Sequence, residues 1–165
     1  MNISKVFTFV IVFFLSSCGG GSGGAGLSAS STNLSANNTA FNGLNDLCIN
    51  YGGYLSCSFV HAGLQRNFIL YVPLSYNEQQ SIPVIFNFHG FGGSAVSQME
   101  GRDFRSLAEQ SNFILVVPDG TPAPDGRKHW NSNNNWIQSS IDDVGFISQI
   151  IEKISQEYSV DSKRI

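Results

Sequence analysis

The 165-residue sequence is short of positive charge, with nine Lys and Arg against twelve Asp and Glu and a net charge of −3. Nucleic-acid binding needs clustered cations facing the phosphates. No basic run is present, so a nucleic-acid partner is excluded. Histidine is equally sparse, at three scattered positions, and no C-x-x-C spacing occurs. A protein metal site needs several N or S ligands converging on one point, so no metal is expected, nor any other cofactor. Long apolar runs are missing too. The stretch from Val6 to Leu15 falls well below the roughly 20 residues that cross a bilayer. Repeats are absent, and the length allows one domain at most.

The first eighteen residues, "MNISKVFTFVIVFFLSSC", carry one early lysine, an apolar core and then small residues. That is the layout of an export signal. Leu15-Ser16-Ser17-Cys18 resembles a bacterial lipobox, so Cys18 is the expected lipidation site and residues 1–18 a lipoprotein signal peptide. Two or more acyl chains hold a protein durably on a membrane. The expected location is therefore an anchored lipoprotein of the outer membrane or cell surface, or else an extracellular protein. Residues 19–45, rich in Gly, Ser and Asn, have little to bury and read as a flexible tether. With Cys18 assigned to lipid, Cys48 and Cys57 form an even pair in an oxidising compartment, where a disulfide persists.

Residues 46–165 are left to fold. "RNFILYVPLSY" alternates Phe68, Leu70 and Val72 with outward positions, which predicts a half-buried or edge strand. "IPVIFNFHG" and "NFILVVPDG" are near-continuous apolar runs, as strands covered on both faces require. The second is ended by Pro118 and a turn-forming Asp119-Gly120. Between them, Ser97 and Glu100 match an S-x-x-E capping box, followed by Phe104, Leu107 and Ala108 at helical spacing. A last helix opens at Asp142 as N-cap, with Val144, Ile147, Ile150, Ile151, Ile154 and Tyr158 on one stripe. This order predicts an α/β fold, a doubly wound and mostly parallel sheet. "KRI" at residues 163–165 begins like a further strand.

At the carboxyl end of the first apolar strand stands His89-Gly90-Phe91-Gly92-Gly93. Function in open parallel sheets sits beyond those strand ends. Glycines let main-chain N–H groups turn inward, since no Cβ blocks the approach. In α/β-hydrolases a loop of this kind supplies an oxyanion-hole donor. A phosphate loop would need G-x-G-x-x-G or G-K-[ST], and neither occurs. A tight turn without function is the remaining alternative. Trp130 and Trp136, in "HWNSNNNW", are candidates to flank a substrate ring, or simply to pack their loop onto the domain.

Taken together, "RNFILYVP", "PVIFNFHGFGGSA", "LAEQSNFILVVPDG", "HWN", "DDVGFISQIIEKI" and "YSVDSKRI" resemble the secreted esterase family of polyhydroxybutyrate depolymerases, feruloyl esterases and acetylxylan esterases. The match runs from Arg66 to Ile165 and corresponds to the N-terminal portion of their α/β-hydrolase domain. The resemblance implies a serine carboxylesterase without a cofactor, acting on an ester-bearing polymer or oligosaccharide. It also implies that the Phe91 N–H is the oxyanion donor and that Asp142 and Asp143 are caps rather than catalysts. In that family a strand beginning like "KRI" leads into the G-x-S-x-G serine, with the acid and histidine later. The triad is therefore expected to be missing from these residues, and residues 1–165 to be inactive alone. Ser94, in "GGSAV", lacks the second elbow glycine, and His129 lies in a polar loop. Two alternatives stay open: a non-catalytic surface lipoprotein that binds carbohydrate, and a truncated product without function.

Overall fold

The computed structural model describes residues 43–132 and 140–165. Five strands form one mixed sheet in the order β1-β2-β3-β5-β4. They are β1 (Cys48–Tyr51), β2 (Tyr54–His61), β3 (Leu64–Tyr71), β4 (Val84–Phe86) and β5 (Ile114–Pro118). The pairs β1–β2, β2–β3 and β3–β5 are antiparallel, while β4–β5 is parallel. A small antiparallel pair, β6 (Thr121–Pro122) and β7 (Lys128–His129), follows β5. The β4–β5 crossover holds helices α1 (Ala95–Gly101) and α2 (Arg105–Ser111), and α3 spans Asp143–Glu157.

Period-2 alternation sends successive side chains of β5 to opposite faces of the sheet. Ile114 and Val116 join Phe68, Leu70 and Val84 against Phe146, Ile150 and Ile154 of α3. Leu115 and Val117 join Ile69 against Ala95, Met99 and Ala108 of α1 and α2. Helices therefore cover both faces. That double cover explains why the "NFILVVPDG" strand is apolar without a break.

Several local expectations change. The strand of residues 66–76 is interior, between β2 and β5, and neither half-buried nor an edge. Ile69 is buried on the second face, which the alternation of Phe68 and Leu70 does not reveal, and Arg66, in phase with those two, is buried with them. The N-terminal hairpin of β1 and β2 carried no strand expectation, and it makes most of the observed pairing antiparallel. Its first residue pair is Cys48 opposite Cys57, joined by a disulfide. Leu44, placed by composition in the tether, is buried in the α3-side core.

The first crossover helix begins at Ala95, not after Ser97. Ser94 is the N-cap: its Oγ accepts from the Ser97 N–H, and the Ser97 hydroxyl accepts from the Ser94 N–H. The box is thus S-x-x-S, and Glu100 is not part of it. One expected helix is two, because an Asp103 carboxylate takes the Arg105 N–H and restarts the chain there. Of Phe104, Leu107 and Ala108 only Ala108 is buried. Helix α3 does start behind an Asp142 cap, whose carboxylate accepts from the Gly145 N–H at 2.8 Å. Its buried stripe is Asp143, Phe146, Ile150 and Ile154, and Val144 is 78 % exposed. Beyond α3 the main chain runs alongside β4. Ile82 N–H donates to Ser159 O, Asp161 N–H to Ile82 O and Val84 N–H to Arg164 O, with a parallel bridge between Ile82 and Val160.

Candidate active site

Residues 87–94 leave the carboxyl end of β4 and turn sharply. Gly93 N–H donates to Gly90 O at 3.0 Å, closing a four-residue turn. Gly92, its third residue, has φ +77°, the position where a type II turn requires φ above zero. A Cβ on Gly93 would lie 3.1 Å from Gly90 O and 3.2 Å from His89 Cβ. These two glycines are needed for conformation and for space.

His89 is the buried post of the loop. Its Nε2 accepts the Gly120 N–H at 2.9 Å, so that nitrogen carries a lone pair and the proton sits on Nδ1. Nδ1–H then donates to Gly90 O at 2.8 Å. Trp130 Nε1–H donates to His89 O at 3.0 Å, with its ring centroid 5.0 Å from the imidazole. Trp130 also meets Phe88 edge-on at 5.3 Å. It is half-buried and braces the loop. Trp136 and Cys18 lie outside the described residues.

Of the loop amides, Gly92 N–H is spent on Lys128 O at 2.8 Å, and Gly93 N–H on Gly90 O. No acceptor among the described residues takes the N–H of Gly90 or Phe91. Phe91 is 54 % exposed, with Arg127 stacked 4.4 Å over its ring. A pinned loop with a main-chain donor left open at the end of a parallel strand can hold negative charge on an oxygen.

The floor of the site is a polar network absent from the sequence reading. Asp119 Oδ1 accepts from the Ala95 N–H at 3.0 Å, and Oδ2 pairs with Lys128 Nζ. One carboxylate therefore fixes the start of α1 and the β6–β7 arm that carries the acceptor for Gly92. Arg66 donates from Nη2 to Asp143 Oδ1 at 2.6 Å and to Asp119 O at 3.3 Å, with its guanidinium 3.9 Å from the Phe146 ring centroid. Asp143 Oδ2 accepts from the Asn131 N–H at 2.6 Å. Asp143 is thus not a cap but a buried counter-ion. Gly120 is not a turn glycine either. A Cβ there would approach the His129 carbonyl oxygen closer than 3.0 Å and lie 3.1 Å from His89 Cε1. The sequence signals available were an arginine at an inward strand position and the "PDG" that resembled an ordinary turn.

Ser94 and the three histidines are each committed elsewhere, and no hydrogen bond joins Ser94 to any of them. Ser94 is committed to its cap, and its hydroxyl also reaches Ser97 Oγ at 3.2 Å. His129 Nδ1 meets Thr121 O at 2.9 Å, while its buried Nε2 is unpartnered. His61 bonds Gln149 and Asp142. The Asp142 carboxyl is held below its ordinary pKa, first by the Gly145 amide and then by His61.

A mixed sheet with helices on both faces and a glycine loop at a strand's carboxyl end is the α/β-hydrolase fold. Solved structures agree. A thermostable esterase superposes with a TM-score of 0.54 at 19% identity, over 68% of this chain and 33% of that one. The *Staphylococcus aureus* fluorophosphonate-binding serine hydrolase F gives 0.50 at 15% identity, over 70% and 45%. No family model matches the chain. Among curated proteins it is similar to a probable feruloyl esterase C of Aspergillus flavus, 28% identical over 107 residues, which are 62% of this chain and 36% of that protein. It is also similar to feruloyl esterase B of Piromyces equi, 29% identical over 100 residues, 61% of this chain and 18% of that one. A bifunctional acetylxylan esterase/xylanase of Neocallimastix patriciarum is 25% identical over 103 residues, 62% and 14% respectively. The chain spans about a third of the feruloyl esterase C relative and less of the other two. The family likeness is to esterases of the feruloyl and acetylxylan type.

Proposed function

We infer that residues 86–94 form the oxyanion side of an exported serine carboxylesterase acting on ester bonds of extracellular polymers, in the manner of feruloyl esterases or polyhydroxybutyrate depolymerases. The observation that carries this reading is the open Phe91 N–H on a loop whose next two amides, of Gly92 and Gly93, are committed to carbonyls. In acyl transfer a serine oxygen attacks the ester carbonyl, whose oxygen gains the negative charge that such an N–H binds. Among the described residues no serine occupies a G-x-S-x-G strand-to-helix elbow, and none is bonded to a histidine. On this reading the loop serves a nucleophile that is not among the described residues, and residues 1–165 alone are expected to be inactive. Cys18 lipidation, a tether that ends ahead of Leu44, a catalytic domain from there on and a substrate-flanking role for Trp136 complete the proposal. Exposed Phe88 and Phe91 beside the loop favour an ester with an aromatic or apolar acyl group.

The test is a proline at the donor position in the protein carrying its nucleophile. Phe91→Pro deletes one N–H and is expected to lower kcat on p-nitrophenyl butyrate by about 10²–10³ with KM little changed, equivalent to roughly 3–4 kcal/mol. Phe91→Leu, which keeps the amide, should retain most of kcat. Equal kcat for Phe91→Pro and Phe91→Leu would end the oxyanion assignment. Turnover by residues 1–165 alone that depends on Ser94 would end the reading of the missing serine.

A further inference from the structure

A groove of about 610 Å³ opens where α2 meets the turn between β1 and β2, within the usual 300–1,000 Å³ of small-molecule sites. It is not at the glycine loop. Tyr71 in its wall pairs with Leu115, whereas the loop leaves β4 after Phe86, level with Val116 and running towards Pro118. The groove therefore sits at the amino end of the parallel strands, away from the oxyanion side.

Tyr54 and Tyr71 line it together with Leu55, Val72 and Leu74, and the Arg105 guanidinium lies 6.0 Å from the Tyr54 ring centroid. Tyr51 stands beside Tyr54, ring centroids 5.8 Å apart, and is 64 % exposed at the rim. The charged groups are already satisfied. Asp103 holds Arg105 through bonds of 2.7 to 3.0 Å, and Arg105 Nη1 reaches Gly52 O at 3.5 Å. Glu109 Oε1 accepts from Tyr71 OH at 2.5 Å and from the Leu74 N–H at 2.9 Å. Both carboxyls are held below their ordinary pKa, Asp103 first by Arg105 and Glu109 first by the Tyr71 hydroxyl. Two carboxylates against one guanidinium leave one net negative charge, which repels anions. The uncommitted polar groups are neutral: the Asn50 amide and the Ser106 hydroxyl, neither with a partner among the described residues.

The exposed Tyr51 ring beside a groove of fixed neutral and charged hydrogen-bonding groups suits a ligand with flat C–H faces and a rim of hydroxyls. We propose that this groove binds a neutral polysaccharide chain, as an anchoring site separate from the ester-cleaving one. The inference stands on the groove's own chemistry and does not depend on the esterase reading.

The experiment is calorimetric titration of the protein with β-1,4-xylohexaose and, separately, with hexagalacturonate. Saturable xylohexaose binding, tighter than that of hexagalacturonate, is expected. Ser106 is exposed, so Ser106→Trp fills the groove without touching the core and should weaken binding at least about tenfold. Tyr54→Ala should do the same and Tyr54→Phe should restore it, with thermal unfolding run on each to confirm the fold. Absence of saturable xylohexaose binding overturns the proposal, as does a Ser106→Trp variant that binds like the parent or tighter binding of the anionic oligomer. Ester turnover enters none of these readouts, so their failure leaves the oxyanion assignment untouched.

Discussion

Gly120→Ala is the most discriminating change available at the site. The added Cβ would meet the His129 carbonyl oxygen inside 3.0 Å, and that atom is backbone. No rotamer can relieve the clash, so the chain at Gly120, just before β6, and β7 must part. Overpacking of this kind costs about 1–3 kcal/mol. This parting also lengthens the 2.9 Å bond from Gly120 N–H to His89 Nε2, a further loss of about 1 kcal/mol. The sum, about 2–4 kcal/mol, lowers Tm by on the order of 10 °C for a domain of this size. Gly90→Ala is the matched control, because its Cβ would meet nothing within 4 Å and its φ is not positive. That variant should stay within about 0.5 kcal/mol of the parent. Circular dichroism melts and urea titrations of the two variants decide the matter. A Gly120→Ala protein melting within about 2 °C of the parent would refute the crowding argument, as would a Gly90→Ala protein that is equally damaged.

Arg66→Met should cost about 3–5 kcal/mol by leaving Asp143 charged and buried, and adding Asp143→Leu should recover most of it; denaturant midpoints of the single and double variants measure both. Asp142, Asp125 and Asp161 all have folded pKa values below their ordinary ones, set first by the Gly145 amide, the Arg127 side chain and the Arg164 side chain respectively. Their stabilisation is complete above the unfolded carboxylate pKa near 4 and is lost as pH falls through the lower folded values. Tm should therefore hold from neutrality to about pH 5 and then drop, and Asp142→Asn, which keeps a capping oxygen, should drop less steeply; equal slopes would count against the Asp142 assignment. Reducing the Cys48–Cys57 bond should cost about 2–3 kcal/mol in the chain-entropy model, seen as a lower urea midpoint with dithiothreitol, and an unchanged midpoint would contradict it.

Much of the layer arrangement was legible because burial writes itself into hydrophobic patterns. β5 is apolar at every position because both of its faces are covered, and Asp142 announces α3 by its place just ahead of a periodic run. The errors share one origin: polar groups whose partners are distant in sequence. Arg66 shares the inward phase of Phe68 and Leu70, and only Asp143, 77 residues on, supplies the counter-charge that lets it stay buried there. Ser97 matched a familiar capping pattern, but Asp119 takes the Ala95 N–H and sets the helix start three residues earlier than that pattern implied. On α3 the expected Ile147, Ile150, Ile154 and Tyr158 do meet the core, but Val144 is exposed and Phe146 takes the buried place, packing on Phe59 of the hairpin. At the candidate site, the glycines mark the loop but not what holds it. The supports of that loop, His89, Gly120 and Trp130, come together only through the sheet.

The crosslink at the leading end of the hairpin has a mechanical consequence. Cys48 is the first residue of β1 and lies opposite Cys57 in the first register pair. Tension arriving through the preceding segment therefore passes by a covalent bond directly into β2, instead of peeling β1 away one pair at a time. From β2 it spreads in shear along seven register pairs with β3. The outermost strand is thus locked to its neighbour at its leading end and cannot peel away from there.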